Sequence, residues 1–304
     1  MISGQCQVTL RQGSCLKKVL CKVNRARQDK KSEHLSLPGI LLKRIHTHPL
    51  NLNLNINSPE AVAIHRRIIR ENALLYRHYA FIYQYFKRTE DLLAALSSPS
   101  LEIGSGGGFL KYFLPGVITS DVVKSEGIDR VEDATCLSFS DNSLKAIYAN
   151  GVLHHVKNPE MCLSEIQRVL VPGGIFVCNE PSSIFLGYFM NKYFHNEYTN
   201  RSVKEWIIQG ADSQGRLTQA NMALPYIIFK RDSELFRRRF KRLKIISFIY
   251  HDFLRYTLSG GLSYTPFIPR YLYRTVDFIE WFLRPLMPIL GDNMLVTIKK
   301  TDSR

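Results

Sequence analysis

Cysteine, tryptophan, acidic residues and long apolar runs are all scarce in this chain. It has six cysteines and two tryptophans in 304 residues. No CxxC pair occurs, and the spacing resembles no disulfide framework, so a reducing cytoplasm is the expected compartment. Cys6, Cys15, Cys21 and His34 share the N-terminal region, but their spacing matches no zinc finger, and no metal site is expected. Cys136, Cys162 and Cys178 sit in apolar or helical surroundings and read as buried thiols. No run of about 18 uncharged apolar residues exists, so no transmembrane helix is expected. The early basic residues are not followed by an apolar core of secretory type. Acids number 26 against 41 lysines and arginines, for a net charge of +15. That excess suits nucleic acid or an anionic membrane surface. A solvated basic surface with a basic tail is the preferred reading, because much of the excess lies in two segments.

What is present divides the chain into three parts. Hydrophobic residues make up 45% of it, enough for a sizeable core. Residues 1–57 contain the charge-dense run KKVLCKVNRARQDKKSEH and the low-complexity NLNLNINS, and read as a disordered basic arm. RNA binding is the sharper reading of that arm. Residues 58–98 read as one or two helices. Ser58 suits an N-cap, Pro59 the first turn and Glu60 the helix start, and Ile64, Ile68, Ile69, Leu75, Tyr79 and Ile82 recur at roughly helical spacing.

From residue 99 the pattern alternates strand and helix. SLEIG, VITSD, GIDRVED, LKAIYANG and IFVCNEP read as strands. FLKYFL reads as a helix of about two turns, and NPEMCLSEIQRVL as a longer one. KIISFIYHDF and DNMLVTIKK read as later strands. Alternation of this kind means an open, mostly parallel α/β sheet, which binds ligands beyond the carboxyl ends of its strands. Two stretches exceed what such a domain needs, at about 182–235 and 252–291. The second interleaves arginines with Tyr, Trp, Phe and Leu, as a lid, a headgroup-boundary platform or a self-packing insertion would.

The stretch LEIGSGGG places four glycines after a short apolar strand that carries an acid. Glycine loses the most backbone freedom on folding, so its concentration here implies a close approach to a ligand. Dinucleotide sites use a similar turn. Here the loop reads E-x-G-x-G-x-G, with Glu102 on the strand ahead of it. An acid there can meet an amino group, and a pyrophosphate gains nothing from it.

Downstream, DATCLSFSDNSL, ANGVLHHV, PEMCLSEIQRVLVPGG and EP follow in order. Together these segments resemble the class I S-adenosylmethionine-dependent methyltransferases, in the branch called type 11, over about residues 100–181. ANMALPYIIFKRD and YTLSGGLS are similar to an uncharacterised bacterial subset of that branch. The resemblance implies a Rossmann-like open twisted sheet, mostly parallel with an antiparallel final strand. N-terminal helices and a helical, aromatic C-terminal insertion would accompany it, and residues 99–304 would form the methyltransferase domain. It implies S-adenosylmethionine as cofactor. Glu102 and the backbone of Gly104, Ser105, Gly106, Gly107 and Gly108 would hold the methionine part. Asp121 would accept from the ribose hydroxyls, Asp133 beside Ala134 from the adenine amino group, and Asn150 and Gly151 would face the cofactor. Asp121 and Asp133 also read as turn caps. The family usually has an aspartate where Lys145 stands.

No catalytic residue is assigned from sequence. His154, in the His154–His155 pair, and His195 are weak candidates for a general base, and Glu180 reads as a pocket or turn residue. NGVLHHV lacks the Asn/Asp-Pro-Pro-aromatic pattern of nucleobase methylation, which disfavours a nucleic-acid acceptor. The expected acceptor is a small or lipid-linked molecule, such as a cell-surface polysaccharide or lipid intermediate, with oxygen the preferred acceptor atom. The enzyme would be cytoplasmic, with peripheral membrane contact through the insertion. An RNA methyltransferase using the arm and a non-catalytic protein serving a partner are the alternatives.

Overall fold

The structure is a computed structural model that describes residues 47–52, 54–55, 58–193, 197–208 and 220–302. Two helices come first, α1 (Pro59–Glu71) and α2 (Ala73–Leu92). Then follow β1 (Ser100–Ile103), β2 (Ile118–Asp121), β3 (Arg130–Val131), β4 (Leu144–Asn150), α3 (Pro159–Val169) and β5 (Leu170–Pro181). The remaining elements are α4 (Phe185–Tyr193), α5 (Ser233–Arg239), β6 (Leu243–His251), α6 (Arg255–Ser259), α7 (Tyr273–Phe282), α8 (Met287–Leu290) and β7 (Asn293–Lys300).

The seven strands form one sheet in the order β3-β2-β1-β4-β5-β7-β6. All pairs are parallel except those made by β7, which runs antiparallel to both β5 and β6. This is the mostly parallel Rossmann-like sheet with an antiparallel final strand that the resemblance implies. Chain order reverses between β1 and β4, which opens a crevice at their carboxyl ends.

The central strands are buried on both faces, so their side chains alternate between two cores. Ile147, Ala149, Phe176 and Val296 pack toward α3. Ala146, Tyr148, Val177 and Leu295 pack toward α1 and α2, where Ile68, Ile82 and Phe86 lie. Burial of this much apolar surface is the main favourable term in the fold.

Local chemistry sets the helix ends. Asn158 caps α3 by accepting from the Met161 N–H at 3.1 Å. Asn72 caps α2 by accepting from the Leu75 N–H at 3.2 Å, and its amide donates to the Ser259 carbonyl at 2.8 Å, tying the helix to the second insertion. Ser58 precedes α1 as expected, but its hydroxyl makes no capping bond.

Several expectations need correction. The segment after the glycines is a 3-10 turn over Phe109–Tyr112, not two turns of helix. β5 starts at Leu170, so VPGG belongs to the strand rather than to a break before it. Cys162 and Cys178 are buried and free, but Cys136 is exposed and disulfide-bonded, against the reading of it as a buried thiol. Most of the arm 1–57 lies outside the described residues. Its described part carries a 3-10 turn at Pro49–Asn51, a bridge from Thr47 to Tyr264, and an Asn51 amide donating to Leu262 O at 2.6 Å. Order therefore reaches at least to Thr47, and that stretch packs on the second insertion. No described helix is long and apolar enough to cross a membrane.

Candidate active site

The glycine turn stands at the carboxyl end of β1. Gly104, Gly106 and Gly108 adopt φ of +63°, +49° and +64°, a region that L side chains rarely enter. They serve different ends. A Cβ on Gly104 would meet Val152 Cγ2 at 2.5 Å, so glycine there allows close packing. A Cβ on Gly106 would meet nothing within 4 Å, so its face is open to a ligand. Ser105 is buried, and its side chain serves the scaffold: its Oγ accepts from Ser120 N–H at 3.1 Å, while its own N–H donates to Ser120 O at 2.8 Å.

Behind the turn, Glu102 is 1% exposed, and its Oε2 has no hydrogen-bond partner. Burial pushes its carboxyl up to about 8; Ser105 pulls against the shift, and the Asp121 charge adds to it. Asp121 ends β2 across the turn. Its Oδ2 accepts from Gly106 N–H at 2.9 Å and its Oδ1 from Val123 N–H at 3.1 Å. Each oxygen keeps a second lone pair for a further donor. Two acids thus flank one open glycine, an arrangement that favours a cation-bearing ligand with hydroxyls.

Asp133 follows β3. Its Oδ1 accepts from both the N–H and the hydroxyl of Thr135, at 2.9 and 2.7 Å, so the turn-cap reading is realised on that oxygen. Arg168 of α3 holds the loop after it, donating to the Leu137 and Phe139 carbonyls at 2.9 and 2.7 Å. Asn150 and Gly151 close the crevice at the end of β4. The Asn179 amide donates to Asn150 Oδ1 at 2.9 Å, and Tyr83 of α2 hydrogen-bonds to Asn150. Lys145, at the departure from the family pattern, is ion-paired with Glu90 of α2 at 3.0 Å and braces β4.

His154 is buried against Glu180, with Nδ1 2.7 Å from Oε2. Glu180 also accepts from the Val152 and Leu153 N–H groups at 3.0 and 2.7 Å, and so shapes the loop after β4. Burial alone would lower the His154 pKa, but Glu180 and then Glu197 override it and raise it to about 10. An imidazole held as a cation at neutral pH cannot accept a proton there. His195 lies outside the described residues.

Two sets of residues escaped the sequence reading. Arg66 of α1 donates to Gly107 O and Glu126 O, each at 2.8 Å, and clamps the glycine turn from outside. The second set is a buried polar chain. From Asn150 it runs through Asn179 to His251 at 2.7 Å, then to Asp252 at 3.0 Å, and on to His78 of α2. Arg255 donates to the other Asp252 oxygen at 2.9 Å, and Asp252 sits at φ +53°. Burial works against the Asp252 charge, but the two histidines hold its carboxyl well below the usual range. An ionised Asp252 only accepts, so the proton between it and His78 sits on His78 Nδ1. Burial pulls the His78 pKa down, so the ring is neutral and its Nε2 keeps a lone pair.

Residues 101–178 match the family described as "Methyltransferase domain". The chain carries a methyltransferase domain. The five parallel strands β1 to β5, the glycine turn and the strand-end acids lie within or directly beside that segment, whereas β6 and β7 come from the chain after it. Among curated proteins, demethylmenaquinone methyltransferase of Renibacterium salmoninarum is 39% identical over 71 residues, covering 23% of this chain and 29% of the relative. That of Clavibacter sepedonicus is 34% identical over 99 residues, covering 30% of this chain and 40% of the relative. The matched segments therefore span less than half of each relative. Among solved structures, phosphoethanolamine N-methyltransferase 2 of Haemonchus contortus, in complex with S-adenosyl-L-methionine, aligns at TM-score 0.43 and 13% identity over 83% of this chain and 59% of that one. Geranyl diphosphate C-methyltransferase of Streptomyces coelicolor A3(2) aligns at TM-score 0.39 and 13% identity over 84% and 89%.

Proposed function

We propose that the protein binds S-adenosylmethionine at the carboxyl ends of β1 to β4 and transfers its methyl group to a small or lipid-linked acceptor. The observation that carries this reading is Glu102, a fully buried carboxyl with an unpartnered oxygen behind an open glycine. Leaving such a group unsatisfied costs about 1–3 kcal/mol. An ammonium group supplies the missing partner and lowers the Glu102 pKa, so the residues fit the cofactor. Asp121 would receive the ribose hydroxyls on its remaining lone pairs. Asp133 and Ala134 would hold the adenine end, and Asn150 with Gly151 would face the cofactor.

The cofactor, when bound, supplies a methyl group on a sulfonium, open to in-line displacement by the acceptor. The chain's part is to orient the acceptor and to take its proton. His78 suits the second task. It is neutral, its ring is oriented by Asp252, and its Nε2 is the accepting atom. His154, being a cation, serves instead to fix the loop after β4 through Glu180. An oxygen acceptor needs such a base in the transition state, which is why oxygen is preferred here over carbon or nitrogen. The relatives named for demethylmenaquinone, and the apolar insertions beside the crevice, support a lipid-soluble or lipid-linked acceptor over a nucleic acid.

The test is a calorimetric titration of S-adenosylmethionine into the wild type and Asp121→Ala. Binding weakened at least about tenfold in the variant, the loss of a charge-assisted hydrogen-bond pair, supports the assignment. Absence of binding by the wild type sinks it. Labelled methyl transfer into lipid extracts then identifies the acceptor class.

A further inference from the structure

The second insertion presents an aromatic face to solvent. Tyr273, Val276 and Glu280 line the inner face of α7 and are buried. Arg274, Phe278 and Trp281 recur at i, i+4 and i+7 on the outer face, where an ordinary surface helix is polar. Phe278 is 62% exposed, Trp281 59% and Phe282 67%. The Phe278 and Trp281 rings lie 5.9 Å apart, so they form one patch. Leu286 and Ile289 extend it through α8, which packs on α4, where Phe185, Phe189 and Tyr193 are also exposed. A patch of this size on a single chain marks a binding surface.

Charge decides what covers it. The two acids of α7 are consumed internally. Asp277 pairs with Arg77 and with Arg255, and Glu280 accepts from the N–H groups of Phe253, Leu254 and Arg255 at 2.8, 2.6 and 3.0 Å. Arg274 and Arg284 have no acidic partner among the described residues, so the aromatic face is rimmed by net positive charge. A second copy would bring the same charge against it. An anionic bilayer surface meets both halves of the pattern, because Trp and Phe enter the acyl boundary while Arg stays with the headgroups.

Position gives the patch a use. α4 begins four residues beyond the end of β5, and β7 begins three residues beyond the end of α8, with Asn293 paired to Pro181 at that same end. The patch therefore rims the carboxyl side of the sheet. We infer that this face docks the protein on anionic lipid, with the crevice opening at the headgroup boundary. Such docking stands apart from the methyl-transfer reading and holds whether or not the cofactor binds.

The chain contains its own reporter. Trp206 is 2% exposed, so the exposed Trp281 dominates any change in emission on docking. The full chain is mixed with phosphatidylglycerol vesicles and, separately, with phosphatidylcholine vesicles. Expected are co-sedimentation with the anionic vesicles only, a blue shift in emission, and release as salt rises from about 0.1 M to about 0.5 M. Phe278→Ser with Phe282→Ser should weaken binding about tenfold or more, with an unchanged melting temperature and unchanged cofactor titration. No binding to either vesicle overturns the proposal. So does binding without a Trp281 shift and undiminished in the variant, which would place the contact elsewhere on the basic chain. A self-associated species in sedimentation velocity that buries Trp281 would assign the face to a second copy and also overturn it.

Discussion

The two halves of the sheet solve the same problem with different materials. On the β1–β3 side, backbone does the work: three left-handed glycines and two strand-end acids sit within a short stretch of chain. On the β5–β7 side, side chains do it. His78, Asn179, His251 and Asp252 come from α2, β5 and the end of β6, and meet only once the chain has folded. The first half is local in the chain, an open glycine between two acids. The second is built from long-range contacts between separate elements.

The largest effect separating the halves belongs to Glu102. Glu102→Gln should abolish measurable cofactor binding and yet stabilise the ligand-free protein. The sign follows from its pKa. The folded value, about 8, lies above that of an unfolded glutamate, so the ligand-free fold loses stability as pH rises from the carboxylate range toward 8. At neutral pH removal of this ionisation returns roughly 3 kcal/mol, read as a raised melting temperature that the wild type matches only at low pH.

Asp252→Asn tests the other half. It removes the charge that two histidines and Arg255 surround, and should cost about 3 kcal/mol in chemical denaturation. His78→Asn should be much milder on stability, leave cofactor affinity unchanged and slow methyl transfer by about 100-fold. A rate that survives in His78→Asn would leave the polar chain with a structural role only.

A finer contrast lies inside the glycine turn. Gly104→Ala forces a Cβ against Val152 at 2.5 Å and should destabilise by about 2 kcal/mol, whereas Gly106→Ala meets open space and should cost about 1 kcal/mol from its φ alone. Binding should reverse that order, with Gly106→Ala the more harmful to affinity. The smallest effect is expected at Lys145→Met, which breaks a part-exposed pair with Glu90 and should cost under about 1 kcal/mol with no change in binding.

These differences track what the sequence could reveal. The strands and α3 were legible because alternation is a local signal, whereas the antiparallel close came only from the resemblance to a known family. So was the glycine turn, since LEIGSGGG is a contiguous record of close backbone approach. The 3-10 turn at Phe109–Tyr112 was not, because an apolar FLKYFL fits either geometry until packing chooses. Cys136 in its loop looked apolar by neighbours but is exposed, since Leu137 rather than Cys136 faces the core. The His78–Asp252 pair joins residues 174 apart in the chain and leaves no local trace. The clamp from Arg66 to Gly107 hid in the same way, in a helix read only for its apolar stripe.

The central claim is that Glu102 waits, protonated, for a cationic ligand. Titration of S-adenosylmethionine at pH 7 in two buffers of different ionisation enthalpy measures it directly. The account predicts release of close to one proton per cofactor bound, because Glu102 passes from a pKa of about 8 to an ionised partner of the ammonium group. It also predicts that Glu102→Gln shows neither the release nor the affinity. Binding that releases no proton, or that survives unchanged in Glu102→Gln, would contradict it.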